Sequence, residues 1–330
     1  MCPILENLMY IQKINRIAVL GAGAFGTALA VLYSKKFDVS LYSCFQDHVA
    51  KMKKKRQNDF LENVDIPASI DIDVINSFQK SKFDCVFWAF PLKPSLEILR
   101  QIAAHLDGNN VIICAKGLLH DGTFLTDAFS KILPNSRLGY LSGPNFAHEL
   151  AAFNNSAAII SATDILHASD FANALSLETF KLFPSTDVKG AQLCGAGKNI
   201  IAIASGIVAG LHLGYNAQAA LVTEGLLEIS ALGVALGCKS ETFQGLCGFG
   251  DLFLTASSGL SRNRSFGEKL AKKELSKSNQ KPEQTCEGYE SVVQILHLSK
   301  KHSINVPICQ AVYRILFENA APESIIDVFK

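Results

Sequence analysis

Continuous apolar runs, each closed by a breaker, recur through the first half of the chain. Residues 17–20 (IAVL) stop at Gly21, 85–90 (CVFWAF) at Pro91, 111–115 (VIICA) at Lys116-Gly117, and 138–141 (LGYL) at Ser142-Gly143-Pro144. A run without polar alternation predicts a strand buried on both faces. Residues 39–42 (VSLY) alternate weakly and predict the next strand, while 157–161 and 180–183 are short enough to add edge strands. Helix-length stretches lie between these runs, beginning with 27–32 (TALAVL). Strand alternating with helix predicts an α/β, Rossmann-like, doubly wound parallel sheet.

After about Lys189 the pattern changes to long alanine- and leucine-rich stretches, at 196–213, 217–236, 262–275 and 287–301, with no convincing strand. The expected organisation is an α/β domain over 1–189 followed by an all-α domain over 190–330. The longest stretch without an acid, lysine or arginine, 199–223, is broken by polar residues and glycines from Ser205 to Gln218. Its apolar pieces are shorter than the ~20 residues a membrane span needs, so it predicts a buried helix and no stable membrane insertion. Residues 277–285 are expected to be a mobile loop, and 51–58 (KMKKKRQN) a solvated basic turn or helix face.

Composition narrows the partners. With 330 residues, two cores are expected, and 48% hydrophobic against 18% charged residues describes a globular chain. The 31 Lys+Arg balance 30 Asp+Glu, so the whole molecule has no charge suited to nucleic acid or membrane, and any anion site is local. Nine cysteines, odd in number and never spaced CxxC, fit reduced thiols in the cytoplasm better than a disulfide or zinc framework. The opening MCPILENLMYIQK has an acid at Glu6 and no basic cap before an apolar core, a poor signal peptide. The histidines show no ligand spacing, so no metal is expected.

Gly21-x-Gly23-x-x-Gly26 follows a predicted strand and opens a predicted helix, the context a dinucleotide fingerprint requires. A bare glycine turn would share the motif but not the flanking elements. In that reading Gly21 makes the turn, Gly23 admits a pyrophosphate and Gly26 lets helix and strand pack. Residues 42–45 (YSCF), ending the next strand, offer neither an acid to hold ribose hydroxyls nor an arginine to hold a 2′-phosphate. Lys198, between glycines and an apolar run, would have its pKa lowered toward the acid–base range, or would simply snorkel from a helix end. Lys116 follows a buried strand at the carboxyl edge of the sheet. Asp251 and Thr255 share a face if they are helical. Ser261 would cap a helix that Arg262 opens, which suits a phosphate or is an ordinary cap with a surface arginine.

Together these stretches resemble the bacterial NAD(P)-dependent glycerol-3-phosphate dehydrogenases. The resemblance covers nearly the whole chain through GAGAFGTALA, AKGL, LSGPNFAHEL, GAGKNIIAIASGIVAGLHLGYNAQAALVTEGLLE, GLCGFGDLFLT, SRNRSFG and CEGY, in that order. It implies that Lys198 is the proton acceptor for the C2 hydroxyl of glycerol 3-phosphate. It implies substrate contacts from Lys116, Gly143, Asn145, Asn199, Asp251, Thr255, Ser261, Arg262 and Asn263. For the cofactor, NADPH or NADH, it adds Ala24, Phe25, Cys44, Lys116, Ala147, Arg262, Thr285 and Glu287 to the three glycines. It further implies a cytoplasmic homodimer supplying phospholipid synthesis.

Three positions depart from that family. Asn145 replaces a serine or threonine, Thr285 stands where valine is common, and Cys44 stands where arginine or histidine often sits. A two-domain reductase acting on a hydroxy acid such as pantoate would share the architecture but need no phosphate site. A nucleotide sensor without turnover would have no need of Lys198, Asp251 and Arg262 together.

Overall fold

The apolar runs of the first half assemble into one sheet in the computed structural model, which describes residues 14–79, 83–272, 274 and 286–329. Its strands are β1 (Arg16–Leu20), β2 (Asp38–Ser43), β5 (Asp71–Val74), β6 (Cys85–Trp88), β7 (Asn110–Ile113), β8 (Arg137–Ser142), β9 (Ser156–Ser161) and β10 (Phe180–Ser185). β3 (Gln57–Asn58) and β4 (Leu61–Asp65) form a separate antiparallel hairpin. The eight-stranded order is β10-β9-β8-β7-β6-β1-β2-β5, and β1 runs parallel to both β2 and β6. The chain therefore winds outward in both directions from β1, creating the switch point at which doubly wound sheets bind ligands. Ile17 to Leu20 are fully buried, as expected for a strand covered on both faces. The run at 157–161 lies one strand inside the edge that β10 forms. The half-polar opposite edge, β5 (DIDV), has no sequence signal of its own.

Helices α1 (Ala24–Tyr33), α2 (Gln46–Lys55), α3 (Leu92–Leu106), α4 (Leu125–Ile132), α5 (Ala147–Ala151) and α6 (Ile165–Leu175) connect the strands. The basic run 51–58 is only partly the solvated face expected. Lys53, Lys54 and Lys55 are exposed on α2, but Met52 and Asn58 are buried. Arg56 adopts a left-handed φ of 50° and gives its guanidinium to the carbonyls of Ile66, Pro67 and Ile70.

The rest is helical: α7 (Val188–Gly210), α8 (Tyr215–Ala235), α9 (Ser240–Gln244), α10 (Asp251–Ser257), α11 (Arg262–Ala271), α12 (Glu287–Lys301) and α13 (Pro307–Phe317). The chain divides into two compact units. One comprises Met1–Ala115, Phe129–Leu141 and Asn145–Thr186; the other comprises Lys116–Ala128, Ser142–Pro144 and Asp187–Lys330. Helix α7 is the axis of the second unit, packed against α8, α10, α11, α12 and α13. It starts earlier than the expected 196 because Asp187 caps it, accepting from the Gly190 N–H at 2.9 Å. Its glycines are packing surfaces. A Cβ on Gly206 would overlap the Arg264 carbonyl oxygen, and one on Gly267 would overlap that of Ile203, so α7 and α11 touch backbone to backbone.

The charge-free run 199–223 spans two helices, as the separate stretches at 196–213 and 217–236 lead one to expect, with a turn of positive φ at His212 and Gly214 between them. Both α7 and α8 are long and apolar enough to cross a membrane; the most apolar window of α7 is 94% buried within the protein and that of α8 33%. The predicted mobile loop 277–285 and the opening 1–13 lie outside the described residues.

Candidate active site

Helix α7 places Lys198 in the interior of the helical unit, at 7% exposure. It therefore does not snorkel from a helix end. A buried ammonium requires a counter-charge, and α10 supplies Asp251, 1% exposed. A π-type turn over Leu246–Gly250 delivers that carboxylate, closed by the Gly250 N–H on the Gly245 carbonyl at 3.1 Å. Such turns are irregularities that collect at functional sites. Lys198 Nζ donates to Asp251 Oδ1 and, at 3.1 Å, to Thr255 Oγ1. Thr255 sends its own proton to the Asp251 carbonyl at 2.6 Å, so α10 does present both residues on one face.

The other carboxylate oxygen, Oδ2, accepts from Lys116 Nζ at 2.7 Å. Lys116 reaches it from the segment after β7, where Gly117 takes a φ of +111° that an L side chain would resist. Two ammoniums thus share one carboxylate in a desolvated cluster. Burial first, and the Lys116 charge second, pull Lys198 down to about 8 against the opposing pull of Asp251. Burial would also lower Lys116, but the charge and hydrogen bond of Asp251 hold it above the usual lysine value. Burial would raise Asp251, and the two lysines overcome it. The cluster has one excess positive charge beside a lysine able to exchange a proton near neutrality.

The other predicted residues separate by task. Ser261 caps α11, its Oγ accepting from the Arg264 N–H at 3.3 Å, and Arg262 is exposed on the first turn. The Asn199 and Asn263 amides have protein partners. Asn263 Nδ2 donates to Asn199 Oδ1 at 2.9 Å, and Asn199 Nδ2 donates to Glu287 Oε2 at 2.9 Å. Asn263 Oδ1 accepts from the Gly288 N–H at 3.0 Å, so the set braces α7, α11 and α12. Gly143 is buried in the helical unit. Asn145 belongs to the sheet unit, where its Nδ2 donates to Ser156 Oγ at 2.6 Å and the Ala157 carbonyl at 3.1 Å.

The glycine loop fits a dinucleotide. Gly21 has φ +116°, and a Cβ there would sit 2.6 Å from the Ala89–Phe90 backbone. On Gly26 a Cβ would overlap the Gly21 carbonyl oxygen, whereas on Gly23 it would meet nothing within 4 Å. The one glycine with open space before it is the N-cap of α1, the position a pyrophosphate approaches. Ala24 and Phe25 are half-buried in the first turn of α1. Cys44 is half-buried just past β2, its thiol pushed up by burial. Ala147 and Glu287 open α5 and α12, and Thr285 lies outside the described residues. Sequence reasoning missed Asn58, 2% exposed, which donates to the Ala22 carbonyl in this loop. An isolated asparagine ending a basic run has no periodic signal to betray burial.

Comparison with known proteins follows the same two-part division. A family model described as NAD-dependent glycerol-3-phosphate dehydrogenase N-terminus matches residues 16–168, and its C-terminal counterpart matches 187–327. A glycerol-3-phosphate dehydrogenase (NAD(P)+) of Francisella philomiragia is 37% identical over 320 residues, 94% of this chain and 96% of that protein. The crystal structure of a Coxiella burnetii glycerol-3-phosphate dehydrogenase has a TM-score of 0.89 at 34% identity, covering 96% of this chain and 98% of that one. A yeast glycerol-3-phosphate dehydrogenase, at 24% identity and TM-score 0.79 over 96% of this chain and 100% of its own, shares the fold.

Proposed function

The chain belongs to the NAD-dependent glycerol-3-phosphate dehydrogenase family, and from that premise we propose that Lys198 carries the proton in its reaction, with Asp251 and Lys116 setting its charge. The activity is that of an NAD(P)-dependent oxidoreductase interconverting dihydroxyacetone phosphate and sn-glycerol 3-phosphate. The observation behind the Lys198 assignment is a buried lysine held near pKa 8 on a carboxylate it shares with a second lysine.

Gly21, Gly23, Ala24, Phe25 and Gly26 would hold the pyrophosphate of NAD(P)H, and when bound the nicotinamide supplies or accepts the hydride. In reduction Lys198 donates its proton to the oxygen on C2 of dihydroxyacetone phosphate; in oxidation it takes that proton back. Lys116 stays charged and favours an oxyanion at that oxygen. Asp251 and Thr255 orient the Lys198 ammonium. Arg262, exposed at the start of α11, grips the phosphate and fixes the substrate for transfer. The remaining family positions, Gly143, Asn145, Ser261 and the Asn199–Asn263–Glu287 set, shape the surroundings.

We place the enzyme in the cytoplasm as a homodimer supplying glycerol 3-phosphate for phospholipid synthesis. Among the described residues no cysteine takes part in a disulfide, which supports the compartment. Exposed apolar side chains on α8, Leu227 at 57% and Val234 at 51% on one face and Tyr215 at 89% at its start, support a second copy. The deciding assay follows NADPH loss with dihydroxyacetone phosphate and with ketopantoate. Turnover of the first alone is expected; turnover of ketopantoate alone would sink the reading. In the same assay Arg262→Ala should cut kcat/KM by roughly 10- to 100-fold and barely affect an analogue lacking the phosphate.

A further inference from the structure

Asn58 closes the basic run of α2 and is nonetheless buried with its side-chain polar atoms engaged. Its Nδ2 donates to the Ala22 carbonyl at 2.9 Å and to Thr27 Oγ1 at 2.7 Å. Its Oδ1 accepts from the Phe60 N–H at 3.0 Å and meets His48 Nε2 at 3.1 Å. An amide oxygen can only accept, so the neutral imidazole has its proton on Nε2. His48 Nδ1 then accepts from Ser43 Oγ, 3.0 Å away, and that same oxygen accepts the Phe45 N–H at 3.3 Å. On the far side of the loop the Gly21 N–H donates to the Tyr42 carbonyl at 2.9 Å. The bonds close a ring from the glycine loop to the end of β2, through His48 and Asn58, and back to the loop.

Both ends of that ring are places where a dinucleotide fold meets its ligand. The contact on Ala22 has a directional consequence. In a planar trans peptide the carbonyl and the following N–H point in opposite directions. Tying the Ala22 oxygen to Asn58 therefore turns the Gly23 N–H toward the opposite face. Gly23 is the residue with open space where a side chain would be. A leucine has the same number of side-chain heavy atoms and the same branching as Asn58, without the cost of burying an amide. What the amide adds is orientation.

We propose that Asn58, steadied by His48, is a positioning residue for the cofactor: it pre-sets the Ala22–Gly23 peptide that receives the pyrophosphate. The ligand's identity rests on the functional reading above. Without the tether the peptide must be ordered by the nucleotide itself, which weakens binding and leaves the proton chemistry of Lys198 untouched.

The test is fluorescence titration of NADPH onto the full-length protein, alongside steady-state kinetics. Asn58→Leu should raise the NADPH Kd roughly tenfold or more, the scale of one or two lost hydrogen bonds. At saturating NADPH, kcat and the KM for dihydroxyacetone phosphate should stay within about threefold. His48→Leu, at a half-buried position, should raise the same Kd by a smaller factor. An unchanged Kd for Asn58→Leu overturns the proposal, as does a loss spread equally over kcat and the substrate KM. If Asn58→Leu does not fold, His48→Leu decides: a raised Kd supports the role and an unchanged one overturns it. The titration needs no turnover. A wild type that binds NADPH but leaves dihydroxyacetone phosphate unreduced would defeat the assigned reaction, while the Kd shift would still judge Asn58.

Discussion

Asp251 holds two lysines on one carboxylate, and its charge decides when Lys198 is protonated. In the proposed mechanism reduction of dihydroxyacetone phosphate uses the protonated lysine, so that rate should fall as pH rises through about 8; oxidation of glycerol 3-phosphate should rise through the same region. Asp251 is the group that opposes burial and Lys116. In Asp251→Asn the Lys198 pKa should therefore drop further, moving the falling limb of the reduction profile to lower pH by about one unit or more. A limb that stays in place would separate Lys198 from the titration. Lys198→Met keeps the length and removes the proposed proton carrier. Its kcat should drop by on the order of 10²-fold or more with NADPH binding retained; a variant that keeps most of its kcat would sink the assignment. At this scale the sequence was most informative, since a lysine, an aspartate and a threonine in ordered motifs converge on one point. Asn58 was not legible, because its importance comes from two long-range contacts and no local pattern.

Among the elements, the strands were legible wherever both faces are buried, because continuous apolar runs leave few other structures. β5 escaped notice as an edge with aspartates at alternate positions. Helix α7 begins eight residues before the expected 196, because the glycine-containing segment 188–195 lacks the dense alanine and leucine pattern of the rest. In the fold the α7 glycines mark close approach, and a Cβ on Gly197 would lie 2.5 Å from Ile229. Helix α13 has a device of its own. Glu228 of α8, 8% exposed, accepts the Ile308 and Cys309 N–H groups at 2.6 and 3.3 Å and so caps its first turn. Burial pushes its carboxyl up to about 7. An acid whose folded pKa is raised binds its proton more tightly in the native state. Its contribution to stability is thus full below the unfolded value near 4.5 and is lost as pH rises through about 7. Denaturant melts of wild type should lose about 3 kcal/mol at most across that window, and Glu228→Gln should lose much less. Parallel pH curves for the two proteins would count against the cap's role in acid stability.

For the whole molecule, 31 basic and 30 acidic residues leave only local fields to attract an anionic cofactor. The run on α2 is weaker than its sequence suggests, since Lys51 pairs with Asp59 and Arg56 is engaged by carbonyls. Lys53, Lys54 and Lys55 remain exposed. Both NADH and NADPH are therefore expected to work, with NADPH modestly preferred and the preference shrinking as salt rises. Ratios of kcat/KM for the two cofactors at low and high salt test this. A strong NADH preference, or an NADPH preference indifferent to salt, would assign the choice to a group in direct contact.

The backbone contact between α7 and α11 has a consequence for substrate length. With Gly206 against the Arg264 carbonyl and Gly267 against that of Ile203, neither helix can slide or tilt on the other without a steric clash. Lys198 is fixed to one helix and Arg262 to the other. In the proposed mechanism the proton carrier and the phosphate grip would thus be two jaws of a calliper whose hinges, the two helix backbones, are locked together. On that proposal a phosphorylated ketone with one carbon more or fewer between carbonyl and phosphate should show a lower kcat/KM than dihydroxyacetone phosphate in the same NADPH assay.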